Sequence, residues 1–207
     1  MNEKAGDLQA LFRRIDALTA QKPRVLIAID GMSGSGKTTL AAYLARVYGA
    51  GVLHMDDFFL QPHQRSAERL ALPGGNVDHE RFKQEVLDPL SRGEAFSYRP
   101  YVCCVQRLGE AVAFTPGRLT VVEGSYSLHP ALEAAYDLKI CLRIDDALQS
   151  ARILARNGEA QHARFMREWV PLENVYFEGT KMDSRCDLIL RVREQADGVS
   201  WQTEEKR

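Results

Sequence analysis

The sequence predicts an α/β fold in which a central parallel sheet is flanked on both faces by helices. Three observations predict it. Apolar runs at Val25–Asp30, Leu119–Gly124 and Leu138–Ile144 read as buried strands. Between such runs lie segments whose apolar residues recur at helical spacing, and strands separated by helices imply parallel pairing. The chain has 207 residues, 45% of them apolar, enough for one compact domain over 1–207 and too few for two of ordinary size.

Each element has its own local reason. Leu8, Leu11, Phe12, Ile15 and Leu18 give an amphipathic first helix that must stop before Pro23. Val25–Asp30 follows as a central strand, then a Gly/Ser-rich turn, then a helix with Leu40, Ala41, Leu44, Ala45 and Val47 on its spacing. Val52–Met55 is a short second strand. Residues 61–77, with Pro62, Pro73, Gly74 and Gly75, read as a long irregular surface segment, and loops of that length usually carry function. Asp78 is placed to cap a helix with Phe82, Val86, Leu87 and Leu90 on one face, ending near Arg92-Gly93. Tyr98–Phe114 reads as a hairpin or irregular arm. Residues 146–157 and 160–178 read as helices separated by Asn157-Gly158, and Asp187–Val192 as a final strand.

Composition narrows the partners. Lys plus Arg total 27 against 28 Asp plus Glu, a net charge of −1, which lacks the field that nucleic-acid or anionic-membrane binding relies on. The longest aliphatic stretch, Val25–Ile29, is far short of a bilayer span, and Met1–Lys4 has no signal-peptide pattern. Cys103, Cys104, Cys141 and Cys186 form neither a disulfide framework nor a metal knuckle. A cytoplasmic protein is expected, with no nucleic acid and no membrane among its partners; a homo-oligomer is left open.

Gly31-Met32-Ser33-Gly34-Ser35-Gly36-Lys37-Thr38 matches G-x-x-x-x-G-K-[ST] in full, between a predicted strand and a predicted helix. The glycines let consecutive backbone N–H groups point into one concavity at a helix start, where orphan donors and the helix dipole favour phosphate. Lys37 then reaches the β/γ oxygens of ATP, and the Thr38 hydroxyl is a ligand for Mg²⁺. Ser33, Ser35 and Thr39 read as supporting polar residues of the same nucleotide site. The second half of the metal site should be an acid at a strand end, and Glu123 in Val121-Val122-Glu123-Gly124 has that form. The expected architecture is therefore the P-loop NTPase type, three layers with a small lid.

A phosphate loop alone does not separate a motor, a switch and a kinase. The N-K-x-D and L-S-G-G-Q signatures are absent, and Met55-Asp56-Asp57-Phe58-Phe59 supplies two carboxylates at the end of the second strand. Phosphoryl transfer to an alcohol needs a base that orients the hydroxyl and takes its proton, and Asp56 is the candidate. Strand alternation points only one of the two acids into a site; a solvated strand-end cluster is the plainer alternative.

These segments together resemble the uridine kinase family and its relatives, P-loop pantothenate kinase and phosphoribulokinase. The resemblance rests on GMSGSGKTT (31–39), MDDFF (55–59), NVDH (76–79), YRPY (98–101), VVEG (121–124) and Thr180-Lys181 followed by Asp187-Leu188-Ile189, in family order over about residues 24–190. It implies that Asp56 is the catalytic aspartate, that Asp78 grips ribose hydroxyls, and that Phe59 and Tyr101 lie near the substrate, with Glu123 near magnesium. The sequence departs from the family after Tyr101, where Val102, Cys103, Cys104, Val105 and Gln106 replace an acid and a base-reading histidine. The arginine-rich lid pattern is also altered, to Arg152, Arg156, Asn157-Gly158-Glu159 and Arg164, with Arg156 and Arg164 the candidates to fold over the phosphates.

The expectation is an ATP-dependent kinase acting on a hydroxyl of a small molecule, a nucleoside first. Pantothenate or sugar and sugar-phosphate acceptors are the alternative, Arg65 and Arg69 in the long loop being suited to an anionic one. A non-kinase nucleotide-binding regulatory protein is the alternative from another class.

Overall fold

The computed structural model describes residues 8–195 and 198–204. Met1–Lys4, read above for a signal pattern, lies outside them. A six-stranded sheet forms the middle layer. Its strands are β1 (Val25–Gly31), β2 (Gly51–His54), β7 (Leu119–Glu123), β8 (Leu138–Arg143), β9 (Leu188–Gln195) and β10 (Gly198–Glu204), in spatial order β10-β9-β8-β1-β7-β2. The first five pair in parallel. The last pair is antiparallel, adding one antiparallel edge strand to the expected central parallel sheet. The sequence reading stopped at one final strand because β10 carries no continuous apolar run, and an antiparallel edge does not need one.

β1 is central because Ile27, Ala28 and Ile29 can be buried on both faces, and all three are fully inaccessible. Helix α1 (Gln9–Gln21) buries Leu11 and Ile15, and α2 (Lys37–Tyr48) buries Leu40, Ala41 and Leu44, ending at Gly49 in the left-handed region with φ 64°. Register sets the site: Ile29 pairs with Glu123, and Glu123 with His54, so β7 and β2 finish level while β1 runs on through Asp30 and Gly31 into the loop. β1 also lies where the chain's connections reverse direction across the sheet, the crevice in which open α/β sheets bind ligands.

Residues 55–114 form an arm beside those strand ends. β2 stops at His54, one residue earlier than expected, because Met55–Phe58 turns into a 3₁₀ helix. The long segment contains a 3₁₀ turn (Pro62–Gln64) and α3 (Ala67–Leu70). The predicted helix after Asp78 runs as α4 (His79–Phe82), a π turn (Lys83–Leu87) and α5 (Asp88–Arg92), closed by Gly93 at φ 71°. Two small antiparallel pairs complete the arm, β3 (Phe96–Tyr98) with β6 (Val112–Phe114) and β4 (Tyr101–Val102) with β5 (Arg107–Leu108). Phe58 holds the arm on its core, 4.9 Å from Phe82 edge-on and 5.2 Å from Tyr98.

On the other side α6 (Asp146–Arg164), capped by Asp145, is broken at Gly158 with φ 75° and ψ 170°. This is the predicted Asn157-Gly158 interruption. A π turn (Phe165–Trp169) leads into α7 (Val170–Gly179), and α8 (Met182–Arg185) precedes β9. Among the described residues no helix is long and apolar enough to cross a membrane.

Candidate active site

The glycine-rich loop leaves β1 and enters α2 through Gly36, which caps the helix at φ 86°, a conformation any Cβ would disfavour. Lys37, the first helical residue, is nearly buried. Its ammonium donates to Gly31 O (2.7 Å), Met32 O (3.0 Å) and Ser125 Oγ (3.3 Å), folding the loop around one positive charge. The Thr38 hydroxyl is 3.2 Å from both Glu123 oxygens. Glu123 is buried at the end of β7 and also meets His54 Nδ1 at 2.6 Å, and that hydrogen bond raises the His54 pKa.

Ser33, Gly34, Lys37 and Thr38 line a cavity of about 360 Å³, and Asp56, Phe59, Glu123 and Arg156 line it as well. Gly31, Ser35, Gly36 and Thr39 are not in its wall. They shape the loop from behind: the Ser35 hydroxyl is buried with no hydrogen-bond partner, and a Cβ on Gly31 would meet it at 2.8 Å. Asp56 meets water in the cleft, yet the protein crowded around it raises its pKa, a rise that Lys37 opposes and Glu123 and Glu173 reinforce. Asp57 turns elsewhere, accepting from Tyr98 Oη at 3.0 Å.

Two residues expected at the substrate are engaged in the arm. Asp78 caps α4 by accepting from Arg81 N at 3.0 Å, while its other oxygen accepts from Gln64 Nε2 at 2.7 Å. Tyr101 is buried, its hydroxyl accepting from Arg65 Nη2 at 3.2 Å. Neither is in the cavity wall. Phe59 is, and its ring stacks with Trp169 of the π turn after α6 at 6.5 Å. Arg156 lies over Phe165 at 5.7 Å and Arg164 over Trp169 at 5.6 Å; both line the cavity.

The sequence reading did not single out two acids that organise the loop. Glu173, buried in α7, accepts from Ser33 N (2.8 Å), Ser33 Oγ (2.6 Å) and Ser125 Oγ (2.8 Å). Asp30, fully buried at the end of β1, accepts from Gly31 N (2.7 Å), Tyr126 N (3.2 Å), Leu128 N (2.8 Å) and Tyr176 Oη (2.7 Å). Burial raises its pKa to about 6, against the pull of those donors. Its bonds also help hold Tyr126 at φ 74°, a strained conformation for a non-glycine residue beside the cavity. No local motif announces these contacts, since Glu173 lies 140 residues from Ser33 and Tyr176 lies 146 from Asp30.

The donor chemistry at Thr38 and Glu123 fits a hard cation. Among the described residues no three His, Cys, Asp or Glu side chains converge into a metal cage. Magnesium needs none, because it takes one or two protein oxygens and completes its shell with phosphate oxygens and water.

No family model and no curated protein matches the sequence. Solved structures do match. A possible uridine kinase from Bacillus stearothermophilus aligns with TM-score 0.63 at 21% identity, covering 87% of this chain and 98% of that one. A protein assigned as a fructose transport system kinase in Silicibacter sp. TM1040 aligns with TM-score 0.62 at 27% identity, covering 86% and 95%. Phosphoribulokinase from Rhodobacter spheroides aligns with TM-score 0.58 at 16% identity, covering 82% and 70%. With its phosphate loop at the switch point of the sheet and these structures superposing along most of its length, the chain has the fold of the uridine kinase-like P-loop kinases.

Proposed function

We propose that the protein is an ATP-dependent phosphotransferase that moves the γ-phosphoryl group to a hydroxyl of a small molecule. The observation that carries this reading is the sharing of one cavity by Asp56 and the phosphate loop residues Lys37 and Thr38. A nucleotide switch has no need of a carboxylate open to the cavity from the second strand's end, whereas transfer to an alcohol uses one to orient the hydroxyl and take its proton.

The loop amides and Lys37 bind the phosphate tail of the donor and carry the charge that moves during transfer. Asp56 accepts a hydrogen bond from the acceptor hydroxyl, orients its oxygen and takes the proton as the new P–O bond forms. The crowding that raises its pKa brings it closer to the range in which a base works at neutral pH. Arg156 and Arg164 stand on the lid side of the cavity, where they add positive charge and, with Phe165 and Trp169, keep water from competing with the acceptor. Thr38 and Glu123 would hold magnesium, which when bound neutralises phosphate charge. The cytoplasm remains the compartment we propose, all four cysteines being free thiols.

The test is ADP release measured with ATP and magnesium, with and without a panel of nucleosides, pantothenate, sugars and sugar phosphates. Acceptor-dependent release is expected; slow release indifferent to every acceptor would instead favour a regulatory ATPase.

A further inference from the structure

Three arginines surround the loop after β2, and they differ in what balances their charge. Arg69 holds Glu80 with both terminal nitrogens, at 2.6 and 2.7 Å, and Arg81 stands 3.1 Å from Glu85. Arg65 has no acid within salt-bridge distance among the described residues. Its Nε donates to Leu60 O at 2.9 Å, its Nη2 to Tyr101 Oη at 3.2 Å, and the group lies over the Tyr101 ring at 5.5 Å. Those contacts fix the guanidinium in place and leave its charge uncompensated. Of the three, Arg65 alone lines the cavity that contains Asp56.

A guanidinium held in one orientation at the wall of a cavity, with no carboxylate of its own, is a receptor for a planar or tetrahedral oxyanion. The rest of the wall gives such an anion a direction. Lys37, Arg156 and Arg164 of the same wall serve the donor phosphates in the reading above. Asp56, Glu123 and Glu173 repel a negative group, so the anionic end of an acceptor belongs at Arg65 and its uncharged hydroxyl end at Asp56. The carboxylate that would grip vicinal hydroxyls of a neutral ribose, Asp78, already has both oxygens engaged by Arg81 N and Gln64 Nε2. A cavity of about 360 Å³ that also contains the phosphate loop suits a small acceptor.

We propose that the acceptor is a small hydroxylated anion whose carboxylate or phosphate is bound by Arg65, an inference that rests on the phosphotransferase reading above. Arg65 is then the residue that sets acceptor specificity.

The test uses matched probes: D-glycerate against glycerol, ribose 5-phosphate against ribose, and uridine. ADP release is measured for the native protein, Arg65→Met and Arg65→Lys. Separately, alkylation of Cys103, which lines the same cavity, is followed in a Cys104→Ser background without ATP. The expected result is ADP release with an anionic probe and not with its neutral counterpart. Arg65→Met should raise that acceptor's KM at least tenfold while the KM for ATP moves less than twofold, with Arg65→Lys in between. The anion should also slow Cys103 alkylation, an effect lost in Arg65→Met. Activity with D-glycerate or with ribose 5-phosphate tells the carboxylate from the phosphate.

Turnover of uridine or ribose with a KM indifferent to Arg65→Met would overturn the anionic acceptor and leave the phosphotransferase standing. Protection by an anion that depends on Arg65, without ADP release from any probe, would uphold the anion site and remove the phosphotransferase. Neither release nor protection with the anions would overturn the inference itself.

Discussion

Asp30 carries a charge in the most water-free part of the protein, and its replacement by Asn should reveal that charge as a pH-dependent stability difference. The folded pKa of about 6 against the ordinary 3.8 means that the folded state binds the proton more tightly than the unfolded chain. The stabilising contribution is therefore fully present below about pH 3.8 and is lost as pH rises through 6; between those limits it amounts to about 3 kcal/mol. From pH 8 down to 4.5 the native protein should gain roughly 2 kcal/mol from this group, and Asp30→Asn should not. The variant keeps one carbonyl oxygen for two of the four donors. Tyr176 Oη can turn to accept from the new amide, but one backbone N–H, that of Leu128 in the simplest orientation, loses its acceptor at a cost of about 1–3 kcal/mol. The loss nearly offsets the relief of the buried charge at pH 8. Asp30→Asn should thus be close to neutral there and about 2 kcal/mol less stable than the native protein at pH 4.5. Urea unfolding of both proteins at pH 4.5, 6 and 8 measures the difference. A stability gap that stays within about 0.5 kcal/mol across that range would refute the assignment of a raised Asp30 pKa.

Asp56→Asn should lower acceptor-dependent turnover by roughly 10²–10⁴-fold while nucleotide still binds by calorimetry; near-native turnover eliminates it as the base. Lys37→Ala removes the charge that the loop encloses, so nucleotide affinity and transfer should both fall, each by roughly tenfold or more, and intact kinetics would contradict the loop assignment. Glu173→Gln weakens three bonds to Ser33 and Ser125, about 1–3 kcal/mol, which for a chain of this size lowers Tm by roughly 2–10 °C. Calorimetric scanning with an unmoved Tm would show that α7 does not anchor the loop.

What could be read from the sequence was what neighbouring residues decide together. The loop at 31–38 declares itself because its glycines, Lys37 and Thr38 are consecutive, and Asp56 and Glu123 follow from the rule that ligands bind at the carboxyl ends of parallel strands. The cap at Asp78 was equally local. Its second oxygen was not: Gln64, fourteen residues earlier, reaches it only because the long loop folds back. Glu173 and Trp169 were hidden for the same reason, and the sequence named Arg65 beside Arg69 without telling which of the two faces the cavity. A glutamate four residues after a tryptophan in an amphipathic helix looks like any solvated acid until the fold brings Ser33 to it. β10 escaped because an edge strand in an antiparallel pair is specified by its partner more than by its own composition.

The two tethers of the phosphate loop, Asp30 to Tyr176 and Ser33 to Glu173, join segments 146 and 140 residues apart. They are among the last contacts a growing chain can make. At ordinary synthesis rates the loop waits on the order of ten seconds, after Gly36 has left the ribosome, for the helix that steadies it. The strand and glycines of the amino-terminal third can form early, but the steadied loop is a late product of folding. A chain cut short before Val170 would retain the whole glycine motif and lack the acid and the phenol that brace it.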